Sequence, residues 1–143
     1  MKLTLDQTLQ KGIEAHKAGQ VQEADRLYTA VLKEQPKHPD ANHNMGVLAV
    51  RVGKVQAALA FFKTALEINS GVDQFWLSYI DALIKLNRLA DATTLLNQAK
   101  EKGARGEKFD KLQKQLEGLE PTASNVSKQQ NPPQEKLQSL IDL

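Results

Sequence analysis

The sequence predicts an all-α fold, an α-solenoid of stacked helical hairpins. Three observations carry this reading. The first is a set of ladders with a step of 34 residues: Ala24, Ala58 and Ala92; Gly12 and Gly46; Gly19, Gly53 and Asn87; Tyr28, Phe62 and Leu96; Val31, Ala65 and Ala99. A chain that repeats small and large residues at one such period is built from stacked supersecondary units. The second is that apolar residues within each period recur at three and four, which places them on one helix face. The third is that glycine, asparagine or proline interrupts this pattern twice per period, dividing each unit into two helices.

The elements follow in order. In the unit at 5–38, helix A is predicted over 5–17, capped by Thr4 with Gln7 as its return partner. Gly19 supplies the left-handed residue that ends it. Helix B is predicted over 21–33 and stopped by Pro36. In the unit at 39–72, Pro39 sits where a first-turn proline is tolerated. Helix A covers 40–52, Gly53 breaks it, and helix B covers 55–69. In the unit at 73–106, Ser70 is the expected cap with Asp73 three residues on, and helix A runs to Leu86. Asn87 takes the place of the glycine, and helix B covers 89–100.

Beyond the three units, 105–120 reads as a capping helix. Phe109, Leu112, Leu116 and Leu119 share one face, and the rest is Lys, Gln and Glu. A stack needs such an element at its end, apolar toward the last unit and polar toward water. The segment 121–133 is polar and reads as a flexible linker. At 134–143 the pattern turns amphipathic again through Leu137, Leu140 and Ile141. Its stop inside a helix points to a fragment cut as a further unit begins; the other reading is a short tail helix.

This pattern resembles the tetratricopeptide repeat, a 34-residue helix–turn–helix. Counting each unit from Leu5, Pro39 and Asp73, the family's position 8 falls on Gly12, Gly46 and Ile80, and position 20 on Ala24, Ala58 and Ala92. Position 24 falls on Tyr28, Phe62 and Leu96, and Trp76 occupies position 4. The pattern implies that the small residue of helix A faces the small residue of helix B, and that the helix-B aromatic fills the seam with the next unit. Ile80 departs from it, so the third hairpin is expected to splay. Lys11 and Thr8 depart too, which suits a first unit with no neighbour before it.

Composition narrows the function. The net charge of +2 does not suit a nucleic-acid binder. Cysteine is absent, which removes disulfides and thiolate metal sites. No run approaches the ~20 apolar residues of a membrane span, and residues 1–10 lack the apolar core of a secretion signal. A cytoplasmic protein is expected. His16, His38 and His43 show no i, i+4 metal-ligand spacing, so no metal or other cofactor is expected. No phosphate loop or nucleophile elbow occurs, and an enzyme is not expected.

The resemblance implies a concave groove lined by helix A through positions 2, 5, 9, 12 and 13. The groove residues predicted here are Leu9, Ile13, His16 and Lys17, then His43, Asn44, Val47, Val50 and Arg51, then Leu77, Asp81, Ile84 and Lys85. Position 13 is a cation in each unit: Lys17, Arg51 and Lys85. Cations also sit well at helix C-termini, and that explanation weighs equally with a binding ladder. Leu9, Ile13, Val47, Val50, Leu77 and Ile84 form the predicted apolar floor, and exposed contiguous apolar area marks an interaction site. The family's clamp for a chaperone's C-terminal carboxylate is not expected, because Leu9, Ile13, Gln74 and Ser78 replace its polar residues and only Asn44 matches.

The predicted function is a non-catalytic scaffold for a protein or peptide segment with apolar anchors and some acidic residues. A second reading comes from the phrase at 38–46, which looks like units in protein O-linked N-acetylglucosamine transferases. It makes the chain a substrate-recruiting arm of a larger glycosyl- or sulfotransferase. A third is self-association, with the terminal helix docking in cis or on a second copy.

Overall fold

The computed structural model describes residues 2–119. The predicted linker and terminal helix lie outside these residues. Among the described residues the chain forms seven α-helices and no strand: α1 (Leu5–Lys17), α2 (Val21–Glu34), α3 (Pro39–Arg51), α4 (Val55–Ile68), α5 (Asp73–Lys85), α6 (Leu89–Glu101) and α7 (Glu107–Leu119). They stack as consecutive antiparallel hairpins, each touching mainly its neighbours. The starts of α1, α3, α5 and α7 keep the step of 34, so α7 stands in the register of a fourth first helix.

The helix ends show why these boundaries fall where they do. Thr4 accepts the amide of Gln7, and the Gln7 side chain accepts the amide of Thr4, closing a capping box. Pro39 opens α3, and His38 Nδ1 caps it by accepting the Ala41 amide at 3.2 Å. Ser70 is not the cap of α5. Val72 holds that position without a side-chain bond, while the Ser70 carbonyl accepts Trp76 Nε1 at 2.8 Å. Asn42, at the equivalent place in α3, donates to the carbonyls of Pro36 and His38. A side-chain donor in the first turn thus pins the preceding loop in both units. Within the hairpins, Gly19, Gly53 and Asn87 all have positive φ. After each, an amide reaches back five residues: Gln20 to Ala15, Lys54 to Ala49 and Arg88 to Leu83, each at 2.8 Å. This is the left-handed helix stop that satisfies the last carbonyls.

The core follows from which face each first helix buries. Residues 41, 75 and 109 are buried against the preceding unit, whereas Gln7 at the same register in α1 is exposed. Toward the helix-B partner, Gly12, Gly46 and Ile80 are buried, whereas Lys114 in α7 is exposed. Asp110 and Glu117 are exposed on that same outer face of α7. Each end of the described stack is therefore polar where an interior unit is apolar.

One packing expectation is corrected. The nearest neighbour of the helix-A glycine is the helix-B ring, not the alanine: a Cβ at Gly12 would lie 2.7 Å from Tyr28, and one at Gly46 2.5 Å from Phe62. The Phe62 ring also reaches the next unit, 6.5 Å from Tyr79 between centroids. In the third hairpin Ile80 and Leu96 take the two positions, and both are buried. Leu96, smaller than the rings at 28 and 62, makes room for Ile80 where the other units have glycine, and α5 and α6 approach each other less closely than the helices of the other two hairpins.

Candidate functional site

The first helices lie side by side, α3 touching α1 and α5, and α5 touching α7. This row forms the inner wall. Of its predicted floor, Ile13, Val47, Val50, Leu77 and Ile84 are half-buried, each packed against the core with part of its surface open. Asn44 and Asp81 are half-buried beside them. Leu9, predicted on the floor, is 8% exposed and belongs to the core of the first unit. His43, also predicted there, is 9% exposed. Its ring lies between Phe62 and Phe75, at 5.6 and 5.0 Å, and its Nε2 shares a 2.8 Å hydrogen bond with Ser78 Oγ.

The two histidines of the wall are tuned toward the neutral form. Burial pushes the His43 titration down, against the opposing pull of its hydrogen bond to Asn44 and the charge of Asp40. His16 is pushed down by burial and then by the charge of Arg51. His16 Nδ1 lies 2.9 Å from the Tyr28 hydroxyl. Burial raises the Tyr28 pKa to about 12, so the phenol keeps its proton and can donate it to a neutral ring.

The row of cations is unequal. Arg51 Nη1 donates to the His16 carbonyl at 2.7 Å, bridging the first two units. Lys85 pairs with Asp81 at 2.8 Å. Lys17 is exposed and has no partner among the described residues. All three lie in the last turn of their helices, where the dipole favours a cation, and two of them also hold a local partner.

The groove also has a wall that sequence reasoning missed. Gln74, Leu77, Ser78 and Asp81 of α5 face Lys108, Lys111, Leu112 and Gln115 of α7 across an open cleft of about 400 Å3. Gln74 Nε2 donates to Ser78 Oγ at 3.1 Å. The signal was available, since Glu107 stands 34 residues after Asp73. Among the described residues no three His, Cys, Asp or Glu side chains converge to hold a metal, and no helix is long and apolar enough to cross a membrane.

Comparison with known proteins agrees with this architecture. Two family models described as tetratricopeptide repeat match residues 9–73 and 49–116. The Sgt2 TPR domain from Aspergillus fumigatus is similar in structure, with a TM-score of 0.74 at 14% identity, covering 94% of this chain and 92% of that one. The TPR2B domain of yeast Sti1, in a complex with pHsp70, gives a TM-score of 0.72 at 18% identity, over 80% and 96% of the two chains. The Yersinia enterocolitica type III secretion chaperone SycD, in complex with a peptide of the translocator YopD, gives 0.69 at 17% identity, over 83% and 91%. No curated protein matches the sequence.

Proposed function

Because the chain belongs to the tetratricopeptide repeat family, we propose that it is a non-catalytic scaffold whose inner wall binds a protein or peptide segment. The supporting observation is the run of half-buried apolar side chains, Ile13, Val47, Val50, Leu77 and Ile84, on neighbouring first helices. A wall of this kind gains affinity by burying apolar anchors from a partner. The complexes of Sti1 with pHsp70 and of SycD with a YopD peptide are precedents for the same fold holding another polypeptide. This chain's partner carries apolar anchors and some acidic residues, and it is met in the cytoplasm. The reading as a recruiting arm of a glycosyl- or sulfotransferase uses the same groove, but the asparagine ladder at position 6 that such arms use to grip a backbone is here Gln10, Asn44 and Ser78, one true rung in three.

The test is affinity capture from native extract with the wild-type chain and with Leu77→Asp/Ile84→Asp. Both positions are partly open to solvent, so helicity by circular dichroism should persist. Proteins retained by the wild type should be lost from the variant. An identical retained set on both chains would overturn the groove.

A further inference from the structure

We propose that the groove reads its ligand in one direction, seating the acidic part of a bound segment in the α5–α7 cleft; this rests on the peptide-binding reading above. The first rung of the wall runs Asp6, Asp40, Gln74 and Lys108, all exposed. The charge thus passes from acid at α1 and α3, through a neutral amide, to a base at α7. The next rung, Leu9, His43 and Leu77, ends on Lys111, which is also exposed.

The lysines are the informative end. Asp6 and Asp40 lie in first turns, where the helix dipole favours an acid, so helix stability alone accounts for them. Lys108 lies in the first turn of α7, where the same dipole disfavours a cation. Neither Lys108 nor Lys111 has an ion-pair partner among the described residues. The acid that shares their cleft, Asp81, is held by Lys85. Of the acids on α7 itself, Asp110 and Glu117 lie on the outer end face, and Glu107, one turn before Lys111, forms no ion pair with it. The cleft therefore presents two free cations beside the aliphatic groups of Leu77 and Leu112, with Gln74 and Gln115 to meet a peptide backbone. The matching occupant is a peptide segment with an aliphatic side chain next to aspartate or glutamate.

The experiment selects binders from a displayed library of random linear peptides. The targets are the wild-type chain, Lys108→Glu/Lys111→Glu, and Lys63→Glu as a control cation on α4, outside the row of first helices. Wild type and the control should enrich acids beside an aliphatic residue, and the double variant should not. A peptide so selected should bind the double variant roughly three- to tenfold more weakly. Its affinity for the wild type should fall with added salt. A photoreactive group at its acidic end should label α5 or α7. Selected peptides without acidic enrichment, or labelling on α1, would overturn the directional reading and leave the groove standing. Failure to recover any binder would overturn both.

Discussion

The ring of Phe62 occupies the space that a side chain at Gly46 would need: a Cβ there would come within 2.5 Å of Cε1 and 2.7 Å of Cδ1. Phe62 is 1% exposed, so its ring has nowhere to go. Glycine in a helix interior is usually a weakness of about 1 kcal/mol relative to alanine. Here it is the condition for an aromatic to lie across the hairpin.

Gly46→Ala should therefore destabilise the protein by about 1–3 kcal/mol through overpacking, despite the better helix former. Phe62→Leu alone should also destabilise, by leaving a cavity. Together the two changes should cost less than their sum, since Ile80 and Leu96 show that a larger helix-A residue can meet a smaller helix-B one. Urea unfolding of the four chains measures this, and strict additivity would refute the pairing.

Asn42→Ala should cost about 1–2 kcal/mol, because the carbonyls of Pro36 and His38 lose their side-chain donor at a buried site. Trp76→Phe removes the bond to the Ser70 carbonyl and shrinks a buried ring, and should cost about 1–3 kcal/mol. Hydrogen exchange should quicken first in the loop before α3 or α5, respectively. An unchanged exchange pattern would argue against loop pinning.

Arg51→Gln should raise the titration point of His16, since the nearby cation is one cause of its depression. It should also loosen the first unit from the second, by about 0.5–1.5 kcal/mol, because the bond to the His16 carbonyl is exposed. NMR titration of the His16 ring checks the sign. A fall or no change would contradict the geometry.

Stability should decline as pH drops below about 6.5. In the folded chain His16 and His43 titrate below that ordinary value. The unfolded chain therefore takes up protons first. The loss begins as pH falls through the unfolded pKa and is complete below the folded ones. Thermal unfolding of His16→Gln/His43→Gln should show a flatter dependence between about pH 7.5 and 5.5 than the wild type. An equal slope would place the effect elsewhere.

Much of this fold was legible in the sequence, because period and breakers are local signals. The 34-residue step located the helices, and Thr4 with Gln7 gave the first cap. What was not legible depended on choices among near neighbours. Ser70 has the chemistry of a cap, but the loop uses its carbonyl to hold Trp76, and the helix starts after Val72. The ring of Phe62 could have turned to the seam alone; which side it also covers is settled by the missing Cβ of Gly46. On the inner wall, residue type placed Leu9 and His43 at the surface, whereas packing draws both into the core. Lys108 and Lys111 were overlooked because polar Asp110, Lys114 and Glu117 made α7 read as a cap rather than as a fourth first helix.

Those three polar residues carry a consequence for how such an array changes length. The backbone of α7 already has the phase of an interior repeat, and its inward side already packs as one. Among the described residues, the polar sites at 110, 114 and 117 set this face apart from that of an interior repeat. Lengthening by one module is thus a matter of a few edits along a single edge, with the existing units left untouched.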